Sequence, residues 1–237
     1  MLQNAKIFAR NLLRTFHVPG AIRALQTESR GLESIEAAVK LARSFNYHHI
    51  RIEPSQVDTE ITALIKLLAE NPPKTILEIG TNKGGTFFLL SRIAAPDATL
   101  LSLDLPLGRF GGGYQPWQGK LYRSFARDQQ RIELLLGDSH QLESVEKVKA
   151  LLAGRQLDFL LIDGDHRYEG VKHDFELYSP LVKMGGLIAF HDIVPGLEDH
   201  VGGVPRFWAE IKATHPVTEF VYDWKQGAYG IGVIRQS

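Results

Sequence analysis

Residues 74–85, KTILEIGTNKGG, restrict the fold of this chain more than any other segment. The breaker Pro72-Pro73 precedes residues 75–78, a β-branched and aliphatic run that reads as a buried strand. Gly80, Gly84 and Gly85 follow, and residues 86–95 read as a helix that is apolar almost all round. Strand, glycine turn and buried helix open a Rossmann-like sheet. The free N–H groups and positive dipole end of such a helix face a ligand, and glycines let that ligand approach the backbone. Glu78 stands at the strand's C-terminal edge, where open α/β sheets bind ligands. The spacing is E-x-G-x-x-x-G, unlike the G-x-G-x-x-G of dinucleotide enzymes. A carboxylate before the first glycine suits a ligand with a cationic or hydroxylated part better than a pyrophosphate. A ligand-free glycine turn is the plain alternative, and the rest of the chain argues against it.

The 237 residues suffice for one ordinary domain with an appendage, divided here into a helical extension, 1–54, and a main domain, 55–237. Formal charge is zero, so no global field draws the chain to nucleic acid or to an anionic membrane. The basic residues are dispersed and no basic–aromatic groove is legible. Cysteine is absent, which excludes disulfides, thiolate metal sites and thiol catalysis and is consistent with a cytoplasmic protein. No apolar run approaches the roughly 20 residues of a membrane span.

Residues 1–26 carry Lys6, Arg10, Arg14 and Arg23, and no acid precedes Glu28. A targeting peptide or a membrane-surface helix has this charge pattern, but Ile7, Leu12, Leu13 and Phe16 form only an irregular stripe. A helical extension packing on its own domain, or on a second copy in a homo-oligomer, is the plainer expectation. Residues 31–46 read as another helix. Ser55 with Asp58 resembles a capping box, and Ile61, Leu64, Ile65 and Leu68 follow at helical spacing.

Residues 99–103 form a second strand ending in Asp104, the place where such folds hold ribose hydroxyls. Residues 132–136 form a third, ending Gly137-Asp138-Ser139; Asp138 is expected to cap the next helix, with a second use towards a ligand's base. Between them lies a glycine-rich loop holding Arg109, Phe110, Tyr114 and Trp117, which reads as a substrate lid or a plain surface loop. Residues 121–130 are expected to return the chain as a helix.

Residues 157–162 give a fourth strand, followed by Asp163-Gly164-Asp165-His166. A helix over residues 169–182 leads through Met184-Gly185-Gly186, read as a turn, to a fifth strand, 187–190, ending His191-Asp192. Neighbouring parallel strands would bring Asp163, Asp165 and His166 opposite His191 and Asp192. Clustered carboxylates call for a cation, a proton or a basic partner. Oxygen ligands with one imidazole suit Mg²⁺, Mn²⁺ or another divalent ion, and His166 titrates near neutral pH. Residues 217–222 and 229–234 read as a terminal antiparallel hairpin.

From Ser55 onward the chain resembles the class I S-adenosylmethionine-dependent methyltransferases, and most of all the branch of macrocin-type sugar O-methyltransferases and cephalosporin-hydroxylase-like proteins. The carrying segments are LEIGTNKGG, LSLD, GDS, LIDGDHRYEGVKHDFELYSPLVKMGGLIAFHD and GGVPRFW. The resemblance implies a doubly wound α/β sheet of about seven strands, five parallel plus the hairpin. It implies that Glu78, Gly80 and Thr81 serve the methionine part of the cofactor, Asp104 its ribose, and Asp138 with Ser139 the adenine side, with Gly84 also at the cofactor. Asp163 would stand at both the cofactor and a divalent metal shared with His191 and Asp192, with His166 as base. His191 departs from the second carboxylate common in such enzymes, which leaves the metal open. The implied acceptor is a hydroxylated small molecule, a sugar or other vicinal diol. Arg109, Tyr114, Trp117 and Tyr168 are further candidates for substrate contact. Two other readings stand beside it, a non-catalytic cofactor-binding scaffold and a nicotinamide oxidoreductase.

Overall fold

The computed structural model describes residues 2–106 and 113–237. Helix α1 (Leu2–Glu28), α2 (Ile35–Ser44), a short hairpin of β1 (Asn46–Tyr47) and β2 (Ile50–Arg51), and α3 (Asp58–Ala69) come first. Then follow β3 (Thr75–Ile79), α4 (Gly85–Ile93), β4 (Thr99–Asp104), α5 (Gly119–Arg123), β5 (Arg131–Leu136), α6 (Leu142–Leu152) and β6 (Leu157–Ile162). The chain continues as α7 (Tyr168–Tyr178), β7 (Val182–His191), α8 (Glu198–Val201), α9 (Val204–Thr214), β8 (Val217–Phe220) and β9 (Ile231–Arg235).

A seven-stranded sheet takes the order β5-β4-β3-β6-β7-β9-β8. The first five strands are parallel and β9 runs antiparallel to both β7 and β8, as the sequence led one to expect. Strands β3 and β4 are buried along their whole length, as strands covered on both faces of a parallel sheet are. Chain order reverses at β3, whose neighbours are β4 and β6, so the crevice above its C-terminal end is a switch point.

One core layer gathers α1 to α4 with the segment around Tyr122 on one face of the sheet, and the other gathers α6, α7 and α9. Val18, Ala21 and Leu25 of α1 are spent on this chain's own core, which runs across residue 54 without a break. No helix of the described residues is long and apolar enough to cross a membrane.

Four local expectations change. The helix expected over 121–130 stops at Arg123, because Gln130 Nε2 instead reaches the carbonyls of Ser91, Ala94 and Ala95 and ties off the end of α4. The Ser55 capping box does not form: α3 starts after Val57 without a side-chain cap, and Asp58 pairs with Arg43 at 2.6 Å. Asp138 accepts from the His140 N–H at 2.9 Å in a turn, and α6 begins later, after Gln141. Met184-Gly185-Gly186 lies inside β7, with a register shift against β6 between the Leu157 and Phe159 pairings.

Candidate active site

The tips of β3 to β7 open on one cavity of about 470 Å³. Gly80, Thr81 and Asn82 follow β3, Asp104 ends β4, Asp138, Ser139 and His140 follow β5, Asp163 to Arg167 follow β6, and His191-Asp192 closes β7.

Gly80 has φ +90°, and a Cβ there would overlap the carbonyl of Asp163. The glycine therefore lets the tips of β3 and β6 close on each other, with Asp163 N–H donating to the Ile79 carbonyl at 2.9 Å. Asp104 accepts from the Asn82 N–H at 2.6 Å, and Thr81 and Ser102 share a buried hydroxyl pair at 2.7 Å. Burial pushes the Asp104 carboxyl up to about 6 despite its backbone donors.

Glu78 and Gly84 lie off the cavity wall. Glu78 is 1% exposed with Oε2 unpartnered among the described residues; burial, with Asp163 and Asp104 nearby, pushes its carboxyl well up. Gly84 is the N-cap of α4 at φ +74°, covered by the Tyr122 ring.

At the other end of the cavity, Asp163 receives two imidazoles. His191 Nδ1 lies 3.0 Å and His166 Nε2 3.6 Å from its Oδ1. Asp192 Oδ2 lies 3.3 Å from His166 Nδ1 and 3.5 Å from His191 Nδ1. Burial alone would lower the His191 imidazole, but Asp163 and Asp192 raise it to about 9. Burial would likewise raise Asp163, and the two histidines hold it below the usual carboxylate range instead. His166 is raised because Asp163 and Asp192 outweigh its burial. Its Nδ1 also stands 2.7 Å from the His200 carbonyl, which can only accept, so Nδ1 carries a proton and Nε2 is the basic nitrogen.

Asp163, His166, His191 and Asp192 thus come together as the sequence led one to expect, but Asp165 does not join them. Its carboxylate is turned to Arg167 and holds both the N–H and the guanidinium. Tyr114 is buried in the core, Trp117 packs beside Arg14 of α1, and Tyr168 donates to Glu210; none of the three lines the cavity. Arg109 and Phe110 lie outside the described residues.

Sequence reasoning missed Gln56. Its Nε2 donates to Asp163 Oδ2 at 3.0 Å and its Oε1 accepts from the Thr86 hydroxyl at 2.7 Å, linking the central carboxylate to the first turn of α4. A partner 107 positions away leaves no local signal. Glu53, His200 and Tyr229, which also line the cavity, were missed as well.

Residues 77–193 match the family described as "Methyltransferase domain". The match spans β3 to β7 and ends beside Asp192, so it contains every strand tip around the cavity. Over this stretch, about half of its length, the chain is similar to a methyltransferase domain. An O-methyltransferase from Bacillus cereus, solved in complex with S-adenosylhomocysteine, superposes with TM-score 0.56 at 18% identity, covering 92% of this chain and 99% of that one. TomG, an O-methyltransferase from Streptomyces achromogenes solved with S-adenosylmethionine, gives 0.54 at 15% identity, covering 90% and 95%. At these identities the likeness is one of fold.

Among curated relatives, the uncharacterized protein y4gI of Sinorhizobium fredii is 29% identical over 168 residues, 68% of this chain. The uncharacterized protein R132 of Acanthamoeba polyphaga mimivirus is 53% identical over 36 residues, 15% of this chain. The chain spans only 17% and 16% of the length of these two relatives.

Proposed function

We propose that the domain transfers a methyl group from S-adenosylmethionine to a hydroxyl of a small molecule, a sugar or other vicinal diol, with His166 as base. One observation carries the reading: a histidine between two carboxylates stands at the tips of adjoining strands, in the cavity that the glycine turn also lines. Bound S-adenosylmethionine supplies a sulfonium-activated methyl group, so the protein's task is orientation and removal of one proton.

Gly80 and Thr81 would border the methionine part, the Asp104 carboxylate would accept the ribose hydroxyls, and Asp138 with Ser139 would flank the adenine. Asp104→Ala is expected to weaken S-adenosylhomocysteine binding by about 10- to 100-fold, on the scale of a buried hydrogen bond to a charged group, measured by calorimetry. The wild-type affinity should depend on pH. Ribose hydroxyls bind the ionised carboxylate, whose pKa in the free protein is about 6. Affinity is therefore about half of its full value near pH 6, nearly full one unit above, and falls by up to about tenfold per pH unit below it. A pH-independent affinity, or a preference for NADH in parallel titrations, would count against this assignment.

His166 takes the acceptor proton at Nε2 while the His200 carbonyl fixes the ring through Nδ1. Asp163 and Asp192 hold the resulting imidazolium, which lies within 3.6 Å of both. Donor atoms of Asp163, His191 and Asp192 lie within 4.8 Å of one another, and two carboxylates with one imidazole fit a divalent ion such as Mg²⁺. Bound there, the ion would lower the pKa of an acceptor hydroxyl. One observation favours a metal-free version of the same reaction: His191 Nδ1 already pairs with Asp163 at 3.0 Å, so an imidazolium can neutralise the carboxylates. Chelation decides. With the metal in place, EDTA removes turnover and Mg²⁺ restores it; turnover indifferent to EDTA assigns the positive charge to His191.

A further inference from the structure

Asp192, at φ +61°, and Tyr229, at φ +66°, both adopt the left-handed backbone region that a β-carbon resists. They are joined to each other, Tyr229 N–H donating to Asp192 Oδ1 at 2.9 Å. A bend alone needs no such residue, and Gly230 supplies one next door at φ +80°. What the strained position adds is the side chain. Tyr229 is 42% exposed and lines the cavity, and its ring lies 6.1 Å from the His191 ring. Its hydroxyl has no partner among the described residues.

The loop that carries this ring is fastened from a distant part of the chain. Glu60, in the first turn of α3, is 2% exposed. Its Oε1 accepts from Tyr222 N–H at 3.0 Å and from Gln226 Nε2 at 2.7 Å, and its Oε2 accepts from Gly230 N–H at 3.0 Å. On the other side Val194 N–H donates to the Tyr229 carbonyl at 3.0 Å. A buried carboxylate given wholly to one loop fixes where that loop's side chains stand.

We propose that Tyr229 is the surface against which the methyl acceptor packs, and that Glu60 is a positioning residue acting through the loop between β8 and β9. The proposal rests on the methyl-transfer reading of the cavity and adds to it the wall that selects the acceptor. Strain held for the sake of a side chain has a recognisable signature: relieving it improves the fold and harms the function.

The test uses Tyr229→Gly, Tyr229→Phe and Glu60→Gln in the full chain, with methyl α-L-rhamnopyranoside and catechol as acceptor probes. Tyr229→Gly is expected to keep or raise Tm and to leave S-adenosylhomocysteine affinity within twofold. It should raise KM for whichever probe the wild type methylates by at least tenfold, with kcat within threefold. Tyr229→Phe, which keeps the ring, should restore KM to within threefold. Glu60→Gln places an N–H against the Gly230 N–H; amide exchange at residues 222–230 should quicken and KM should rise in the same direction. A fall in Tm for Tyr229→Gly shows the ring to be a structural plug and overturns the proposal, as does an unchanged KM. This Tm result decides even if neither probe is methylated. A wild type that does not bind S-adenosylhomocysteine fails on the underlying reading instead, which the same titration separates.

Discussion

Replacing His166 by alanine is expected to lower turnover by about a thousandfold, the usual worth of a positioned general base, while S-adenosylhomocysteine affinity stays within about a factor of two. The two effects separate because the residue stands at the Asp163–Asp192 end of the cavity, whereas Asp104 and the glycine turn form the other end. Its Nδ1 is fixed by the His200 carbonyl, so Nε2 is the nitrogen whose loss matters. Single-turnover methyl transfer checks the first effect and calorimetry the second. If binding and turnover fell together, His166 would be a structural part of the donor pocket and the base would have to be sought elsewhere.

Gly80→Ala should damage fold and binding at once. The backbone at φ +90° is strained for any residue with a β-carbon, and that carbon would overlap the Asp163 carbonyl, which is backbone and cannot rotate away. Left-handed strain and forced overpacking together cost at least about 3 kcal/mol. For a domain of this size that is a fall in Tm of about 6–12 °C. Relief requires the tips of β3 and β6 to separate, breaking the Asp163 N–H bond to the Ile79 carbonyl. Separation moves the glycine turn away from Asp163, so S-adenosylhomocysteine binding should weaken with stability. Thermal melting and calorimetry on the same preparation check this. An alanine variant with wild-type Tm would mean that the strand tips are looser than the hydrogen bond between them implies.

The sheet and the meeting of Asp163, His166, His191 and Asp192 were legible for the same reason. Residues 159–162 and the end of β7 are apolar runs, each stopping abruptly at a carboxylate or histidine, and parallel neighbours must bring such ends together. Asp165 was misplaced because a spacing of two residues does not show that Arg167 will turn back on it. Residues 127–130 read as a helix surface, but their polar groups were needed at the end of α4, an obligation set by packing rather than by local pattern. Gln56 and Glu60 were illegible as site residues. Each acts on atoms more than a hundred positions away, and each sits in a stretch with a sufficient local explanation as the start of a helix.

The strand order also governs the sequence of events during synthesis. Strand β9 follows β7 and β8 in the sequence, yet it lies between them in the sheet. Until it emerges, β8 has no partner and one edge of β7 stays open, the kind of exposed edge that recruits other chains. A nascent polypeptide that stalls before β9 therefore has most of the cavity wall but a sticky, unfinished flank, and chaperone demand should peak just there.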